Sequence, residues 1–388
     1  MGADRRRVLL AGAALALLAL TGCTSAPSSP PSRAAPTTAP PVTQTQTPTP
    51  TPQPPSADGH WQPDGTVTTL ASGLDAPWSV VPLDSGALIS QRDDGRIREL
   101  TADGALRDVG TVRGVASGGE GGLLGIALRE DGATTWLYAS FTSSADNRVV
   151  RMPLTGAAGS YRLGPAETVI DGIRRAQTHN GGRIAFGPDG MLYVTTGDAG
   201  DRDASQNERS RNGKILRLTP EGDAAPGNPF GNRVWSYGHR NVQGIAWTSD
   251  GTMWASEFGQ NTWDELNRIV PGGNYGWPVV EGEAGDERFV DPVAQWRTSD
   301  ASPSGLAAVG DTLFLAGLRG ERLWVVDTAD GALTGDPRAA LDDQGRLRDA
   351  VAAPDGSLWV LTNNTDGRGS PRADDDLLLR LGLRRAAP

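Results

Sequence analysis

The chain has 388 residues, a formal net charge of −10 at pH 7 and 51 glycines, but a single lysine, Lys214, and a single cysteine, Cys23. An acidic balance of this size argues against nucleic acid as a partner, and one cysteine excludes a disulfide within the chain. With one lysine, any bound anion must be held almost wholly by arginine, which grips carboxylates in a bidentate fork.

Arg5, Arg6 and Arg7 form a charged leader, and residues 8–20 form an apolar run too short to be a comfortable membrane span. The run ends in Leu20-Thr21-Gly22-Cys23, small residues before a cysteine, as in a bacterial lipobox. Residues 1–23 are therefore expected to be a lipoprotein signal peptide with Cys23 as the lipidated residue. The arginine cluster leaves the twin-arginine and general export routes both open. Residues 24–58 are almost all Pro, Thr, Ser, Ala and Gln. Such a segment cannot bury enough apolar surface to offset ordering and is expected to be a semi-extended tether. Residues 59–388 then form an extracytoplasmic domain anchored to the cell membrane through lipid.

Within that domain a turn, a glycine and a short apolar strand recur six times, at residues 84–89, 131–138, 189–193, 250–254, 310–314 and 355–359. The spacing of roughly 45 to 60 residues is that of a four-stranded propeller blade with variable loops. Long helical periodicity is absent. The expected fold is all-β, a six-bladed β-propeller of four-stranded antiparallel blades. Residues 67–70 and 377–381 are strand-like and lie at the two ends of the domain, so one is expected to complete a blade begun at the other end. The binding site should lie at one mouth of the central channel.

The stretch from His179 to Lys214 organises the rest. Residues 191–196 alternate and are rich in Val, Tyr and Thr, as in a strand, and Pro188-Asp189-Gly190 supplies the turn entering it. Pairing with residues 182–186 makes a hairpin whose open end holds both His179 and Asp198. Such a base and carboxylate can form a proton-handling pair; a surface histidine beside an unrelated turn aspartate remains the alternative. Residues 118–125 form a glycine-dense loop around Glu120. His239-Arg240-Asn241 sits between glycines directly before a strand, an unusual choice for an unspecialised turn. Residues 257–267 and 272–278 crowd carboxylates, amides and glycine-exposed carbonyls, a composition that suits Ca²⁺ without EF-hand spacing. Arg319, Arg346 and Arg348, read singly, are solvated loop arginines.

Four segments taken together, HNGGRIAFGPDGMLYVTTGD, YGHRNVQGIAW, DELNRIVPGGNYGWPVVEG and GGEGGLLGIAL, resemble the soluble PQQ-dependent glucose, aldose sugar and sorbosone dehydrogenases, in order over most of the domain. The resemblance implies pyrroloquinoline quinone (PQQ) at the mouth of a six-bladed propeller, with Ca²⁺ on the quinone. It implies His179 as the general base for the anomeric hydroxyl of a sugar, Asp198 as its orienting carboxylate and Arg240 as the cation beside the reacting carbonyl. Asn241 and Glu120 fall at cofactor- or substrate-contacting positions, Trp296 and Thr298 on the pocket wall, and Arg319, Arg346 and Arg348 on the cofactor's carboxylates. Backbone carbonyls of Gly259 and Gln260 would hold the catalytic calcium, and Glu265 with the Tyr275 carbonyl a structural one. Electrons would leave through an acceptor the sequence does not identify.

This chain departs from the glucose enzymes in places. Glu120 replaces a glutamine, Gln260 a proline, Phe258 a polar residue and Arg319 a lysine, and the loop from Asp198 to Lys214 is shorter, which implies a more open site. The competing expectations are a non-catalytic carbohydrate- or protein-binding lipoprotein and a calcium-dependent lactonase.

Overall fold

The structure, a computed structural model, describes residues 59–386. The signal peptide, the lipidated Cys23 and the tether expected from the sequence lie outside these residues. Six antiparallel sheets follow one another around a ring. Their strands are, blade by blade, Pro77–Pro82, Ala87–Gln91, Arg96–Leu100 and Leu106–Thr111; Leu123–Asp131, Thr134–Thr142, Asn147–Thr155 and Glu167–Ile173; then Ile184–Phe186, Leu192–Thr196, Lys214–Leu218 and Val234–Tyr237. The fourth to sixth blades are Val242–Trp247, Met253–Glu257, Trp263–Ile269 and Ala294–Arg297; Pro303–Val309, Thr312–Gly317, Leu323–Ala329 and an edge shared by two short strands; and Leu347–Ala352, Leu358–Thr362 and Leu378–Arg385. Trp61–Ala71 closes the ring as the outer strand of the sixth blade, with Val67 opposite Leu381.

The repeat seen in the sequence is the hairpin into the second strand of each blade, and its chemistry is visible. The carboxylates of Asp189, Asp250 and Asp355 each accept the backbone N–H two residues on, at 3.0, 2.9 and 3.0 Å. The glycine between them takes a positive φ, +73° at Gly190 and +80° at Gly356, which only glycine adopts freely. The second strands are buried at every position in the third and sixth blades. The run at 191–196 is thus covered on both faces, because neighbouring blades pack on each side. One such seam joins Leu88, Ile97 and Val109 of the first blade to Leu137, Phe141 and Met152 of the second. Each side chain of this size stabilises by about 1.5–3 kcal/mol when buried.

The first strand of each blade lies innermost, and five of the six neighbouring pairs of these strands are in contact around the ring. Antiparallel pairing sets the start of that strand beside the end of the second: Pro77 opposite Gln91, Val242 opposite Glu257, Leu347 opposite Thr362. One rim of the channel therefore collects the residues just before six inner strands and just after six second strands. The one helical element among the described residues is a 3₁₀ turn, Arg202–Gln206, and none of their helices is long and apolar enough to cross a membrane.

Candidate active site

His179 precedes the inner strand of the third blade and Asp198 follows its second strand, so the hairpin delivers both to that rim. With Ile184 opposite Val194, His179 Nδ1 lies 2.7 Å from Asp198 Oδ1. An ionised carboxylate only accepts, so Nδ1 carries a proton and Nε2 of the neutral ring keeps its lone pair. The His179 side chain is 19 % exposed and that of Asp198 1 %. Asp198 Oδ2 accepts the Trp277 indole N–H at 2.9 Å, and Oδ1 also accepts the Gly200 N–H at 2.8 Å. Burial pushes the Asp198 carboxyl up, but the hydrogen bonds from His179, Gly200 and Trp277 outweigh it and hold the group below the ordinary range.

The backbone of His179 is left-handed, with φ +59°, a conformation costing roughly 1–2 kcal/mol for an L-residue. Its N–H donates to Glu120 Oε2 at 2.8 Å, and its carbonyl accepts from Ala199 N–H at 3.2 Å. Glu120 Oε1 accepts from Arg368 at 3.1 Å. Each oxygen of Glu120 thus has one protein partner, and the side chain keeps 21 % exposure and further acceptor capacity at the rim. Gly197 lies directly beneath: a Cβ there would stand 2.0 Å from the His179 carbonyl oxygen.

Arg240 and Asn241 precede the fourth inner strand. The Asp198 N–H donates to the Arg240 carbonyl at 2.8 Å, which joins the two segments. Arg240 lies over the Trp277 ring at 5.4 Å, gives one Nη1–H to the Phe258 carbonyl at 3.1 Å, and has a buried Nε with no partner. Burial pushes its guanidinium down from its ordinary value, opposed by Asp198 and Glu257. Asn241 Oδ1 holds the Gly181 N–H at 3.0 Å. The third member of the triplet does something else. His239 is fully buried, stacks on Tyr275 at 4.5 Å and bridges Ser236 Oγ and Glu257 Oε2, each at 2.8 Å. It is scaffold beneath Arg240.

The sixth blade contributes Arg346 and Arg348, both buried. Asp366 Oδ2 pairs with them at 2.7 and 3.5 Å. Buried Arg92 donates to the Asp366 carbonyl at 3.3 Å. Arg346 Nε is buried without a partner, and burial pushes Arg348 down to about 9. Buried positive charge with unused donors at a channel mouth fits a multiply charged anion. Arg319 lies at the same rim, exposed and with no ion-pair partner among the described residues. The two expected wall residues differ in their surroundings. Trp296 is a core side chain, packed on Trp324 at 5.5 Å beside Trp254 and Leu266, because the outer strand bearing it turns into the seam between blades. Thr298 is half-buried, with its carbonyl accepting from Ser302 Oγ at 3.4 Å.

No cluster of three or more His, Cys, Asp or Glu side chains suited to a metal occurs among the described residues, so a cation here must draw on carbonyls. Two places fit one. Glu281 Oε1 accepts the N–H groups of Gln260, Asn261, Thr262 and Trp263 at 2.7 to 3.2 Å. In a trans peptide the preceding C=O points opposite to the N–H, so the carbonyls of Gly259 and Gln260 face away from Glu281, free to meet a cation. At the second place, Glu265 and Glu257 approach one Asn267 side chain, whose Nδ2 reaches them at 3.0 and 3.4 Å and whose buried Oδ1 has no partner. Burial, reinforced by the charge on Glu257, pushes the Glu265 carboxyl up to about 8. Two buried carboxylates and an orphaned amide oxygen suit a hard cation.

Glu281, Asp366 and Arg368 were not selected from the sequence, and Glu257 and Trp277 lie in segments noted there only for their oxygen-rich composition. Trp277 lies within the NYGWP segment, but nothing in that spacing links it to an aspartate 79 positions earlier.

The sequence profile of the glucose/sorbosone dehydrogenases matches residues 74–380. Aldose sugar dehydrogenase of Escherichia coli is 31% identical over 364 residues, 80% of this chain and 95% of that protein. Quinoprotein glucose dehydrogenase B of Acinetobacter calcoaceticus is 31% identical over 241 residues, covering 53% of this chain and 50% of that one. The PQQ-bound aldose sugar dehydrogenase of Streptomyces coelicolor superposes with a TM-score of 0.79 at 49% identity, over 86% of this chain and all of that chain. With four segments in order, one rim assembled from them and a profile covering most of the domain, the chain belongs to the glucose/sorbosone dehydrogenase family.

Proposed function

We propose that this protein is a PQQ-dependent dehydrogenase that oxidises the anomeric carbon of aldose sugars, or of sorbosone-like aldehydes, with His179 as the base. The observation that carries this reading is the His179–Asp198 pair, with Nε2 uncommitted at a mouth ringed by buried guanidinium groups. His179 Nε2 takes the hydroxyl proton, and Asp198, locked by Trp277 and Gly200, stabilises the imidazolium that results. Arg240 places positive charge where negative charge develops during oxidation. Arg346 and Arg348 grip carboxylates, and PQQ carries three. When bound, PQQ supplies the acceptor for the hydride leaving the anomeric carbon; loss of that hydride and the hydroxyl proton turns an aldose into its lactone. Calcium held by the carbonyls of Gly259 and Gln260 would supply Lewis acidity there, and a second calcium at Glu265 would brace the fourth blade.

The basic leader, the short apolar run and Cys23 support an extracytoplasmic lipoprotein, which hands its electrons to an acceptor outside the cytoplasm. The test is reconstitution of the domain from Ser56 onward with PQQ and Ca²⁺ against a panel of aldoses, scored by dye reduction. Reduction that needs both additions and disappears in His179→Ala is the expected result. Tight PQQ binding with no aldose oxidised would overturn the substrate assignment, and no PQQ binding would overturn the enzyme.

A further inference from the structure

The single lysine of the chain is not at the surface. Lys214 opens the third strand of the third blade, and its side chain is completely buried. Its Nζ donates to the carbonyl oxygens of Ala204 at 2.8 Å, Ser205 at 2.9 Å and Asn212 at 2.8 Å. An ammonium has three N–H donors and no acceptor, so each proton is matched by one carbonyl. Burial pushes the group down to about 7, opposed by the charge of Glu208; the three carbonyls are the contacts that favour its charged form.

Those carbonyls belong to both legs of the segment that leaves Asp198 and returns to Lys214. Ala204 and Ser205 lie on the outgoing leg and Asn212 on the returning one, so one cation draws the two together. The closed segment then bonds to the residues next to Asp198 and Arg240 and to Trp277. Asn212 Nδ2 and the Gly213 N–H both donate to the Gly197 carbonyl at 3.0 Å, just before Asp198. Ser205 accepts the Gly238 N–H at 2.9 Å and gives its hydroxyl proton to the His239 carbonyl at 2.7 Å, just before Arg240. Gln206 Nε2 donates to the Trp277 carbonyl at 2.7 Å, and Trp277 in turn holds Asp198.

We propose that Lys214 is a positioning residue, an internal ammonium that closes the 198–213 segment and so fixes Asp198, Trp277 and Arg240 around His179. The proposal rests on His179 acting as the base. It is the work an alkali cation does when ringed by carbonyls, performed by a side chain that cannot dissociate.

The test compares the holoenzyme with Lys214→Met and Lys214→Ala. Displacing a base by about 1 Å costs on the order of 10²-fold in rate, so kcat should fall roughly 10- to 100-fold in both variants while KM and PQQ affinity change little. Trypsin should cut the segment at Arg209 or Arg211 at least about tenfold faster, with cleavage elsewhere unchanged, as expected of local opening below the global unfolding free energy. Propylammonium, but not propanol, should restore part of the lost rate in Lys214→Ala, a response that lost packing alone would not give. Unaltered kcat and unaltered cleavage in a folded variant would overturn the proposal, as would equal rescue by the alcohol. Should Lys214→Met not fold, Lys214→Ala prepared in propylammonium carries the same comparison. The cleavage measurement needs no sugar oxidation, so failure of the clip and failure of the dehydrogenase reading give different results.

Discussion

The Asp198→Asn variant tests the centre of the mechanism with the smallest change of shape. The carboxylate is buried and accepts from His179, Gly200 and Trp277, and has no other hydrogen-bond donor among the described residues. An asparagine keeps one oxygen but turns its NH₂ group either against the Trp277 indole N–H or toward the Gly200 N–H and His179 Nδ1. In the second case the ring keeps the contact only by moving its proton to Nε2 and giving up the lone pair of the base. A hydrogen bond to a charged group is worth about 1.5–3 kcal/mol, which at about 1.36 kcal/mol per decade is roughly 10- to 150-fold in kcat. KM should stay within about threefold, because uniform substrate binding is untouched. Steady-state dye reduction over a range of aldose concentrations gives both numbers. A rise in KM at constant kcat would refute the reasoning, since Asp198 would then be acting in binding. The same variant alters stability in acid. The Asp198 carboxyl is held below its ordinary value, so near pH 4 and just below the unfolded chain binds the proton first and stability rises with pH. The contribution is complete above the unfolded value of about 3.9 and is lost as pH falls through the lower native one. Thermal melts between pH 3 and 6 should therefore show a shallower acid loss in the variant than in the parent.

Three further outcomes follow from contacts at the rim. Gly197→Ala places a Cβ 2.0 Å from the His179 carbonyl and 3.0 Å from Asn241 Oδ1; it should cost about 100-fold or more in kcat, with circular dichroism confirming an intact fold. Buried Arg183 hydrogen-bonds to Ser79, Gln243 and Asp349 on three inner strands of other blades, the last an ion pair at 2.9 Å, so Arg183→Met should cost about 3–5 kcal/mol by leaving a buried carboxylate alone. In denaturant titration the double variant with Asp349→Asn should lose less than the single. Glu281→Ala removes the acceptor that turns the Gly259 and Gln260 carbonyls outward. It should raise the calcium needed for half-maximal PQQ uptake about 10- to 100-fold, read by equilibrium dialysis without any substrate.

What the sequence made legible was whatever lay within one blade. Three of the six repeated turns close on an aspartate two residues before its partner N–H, a contact local enough to leave a written pattern. The His179–Asp198 pair was readable for the same reason, because a single hairpin brings together residues only 19 apart. What the sequence left unread has the opposite property. Trp296 looked like pocket wall and is core, since nothing local says which face of an outer strand meets the next blade. His239 looked functional beside Arg240, yet its ring is satisfied by Ser236 and by Glu257, 18 positions on. Glu120 reaches Arg368 across 248 positions, and Glu281 collects four amides from a loop some 20 residues earlier. A propeller assembles its mouth from six blades, so the residues that react sit beside strand ends and can be picked out by position. Those that hold the reacting residues in place come from whichever blade or loop lies opposite. The dependence of kcat on residues such as Trp277 and Lys214, which on this reading never touch substrate, is the measurable consequence of that division.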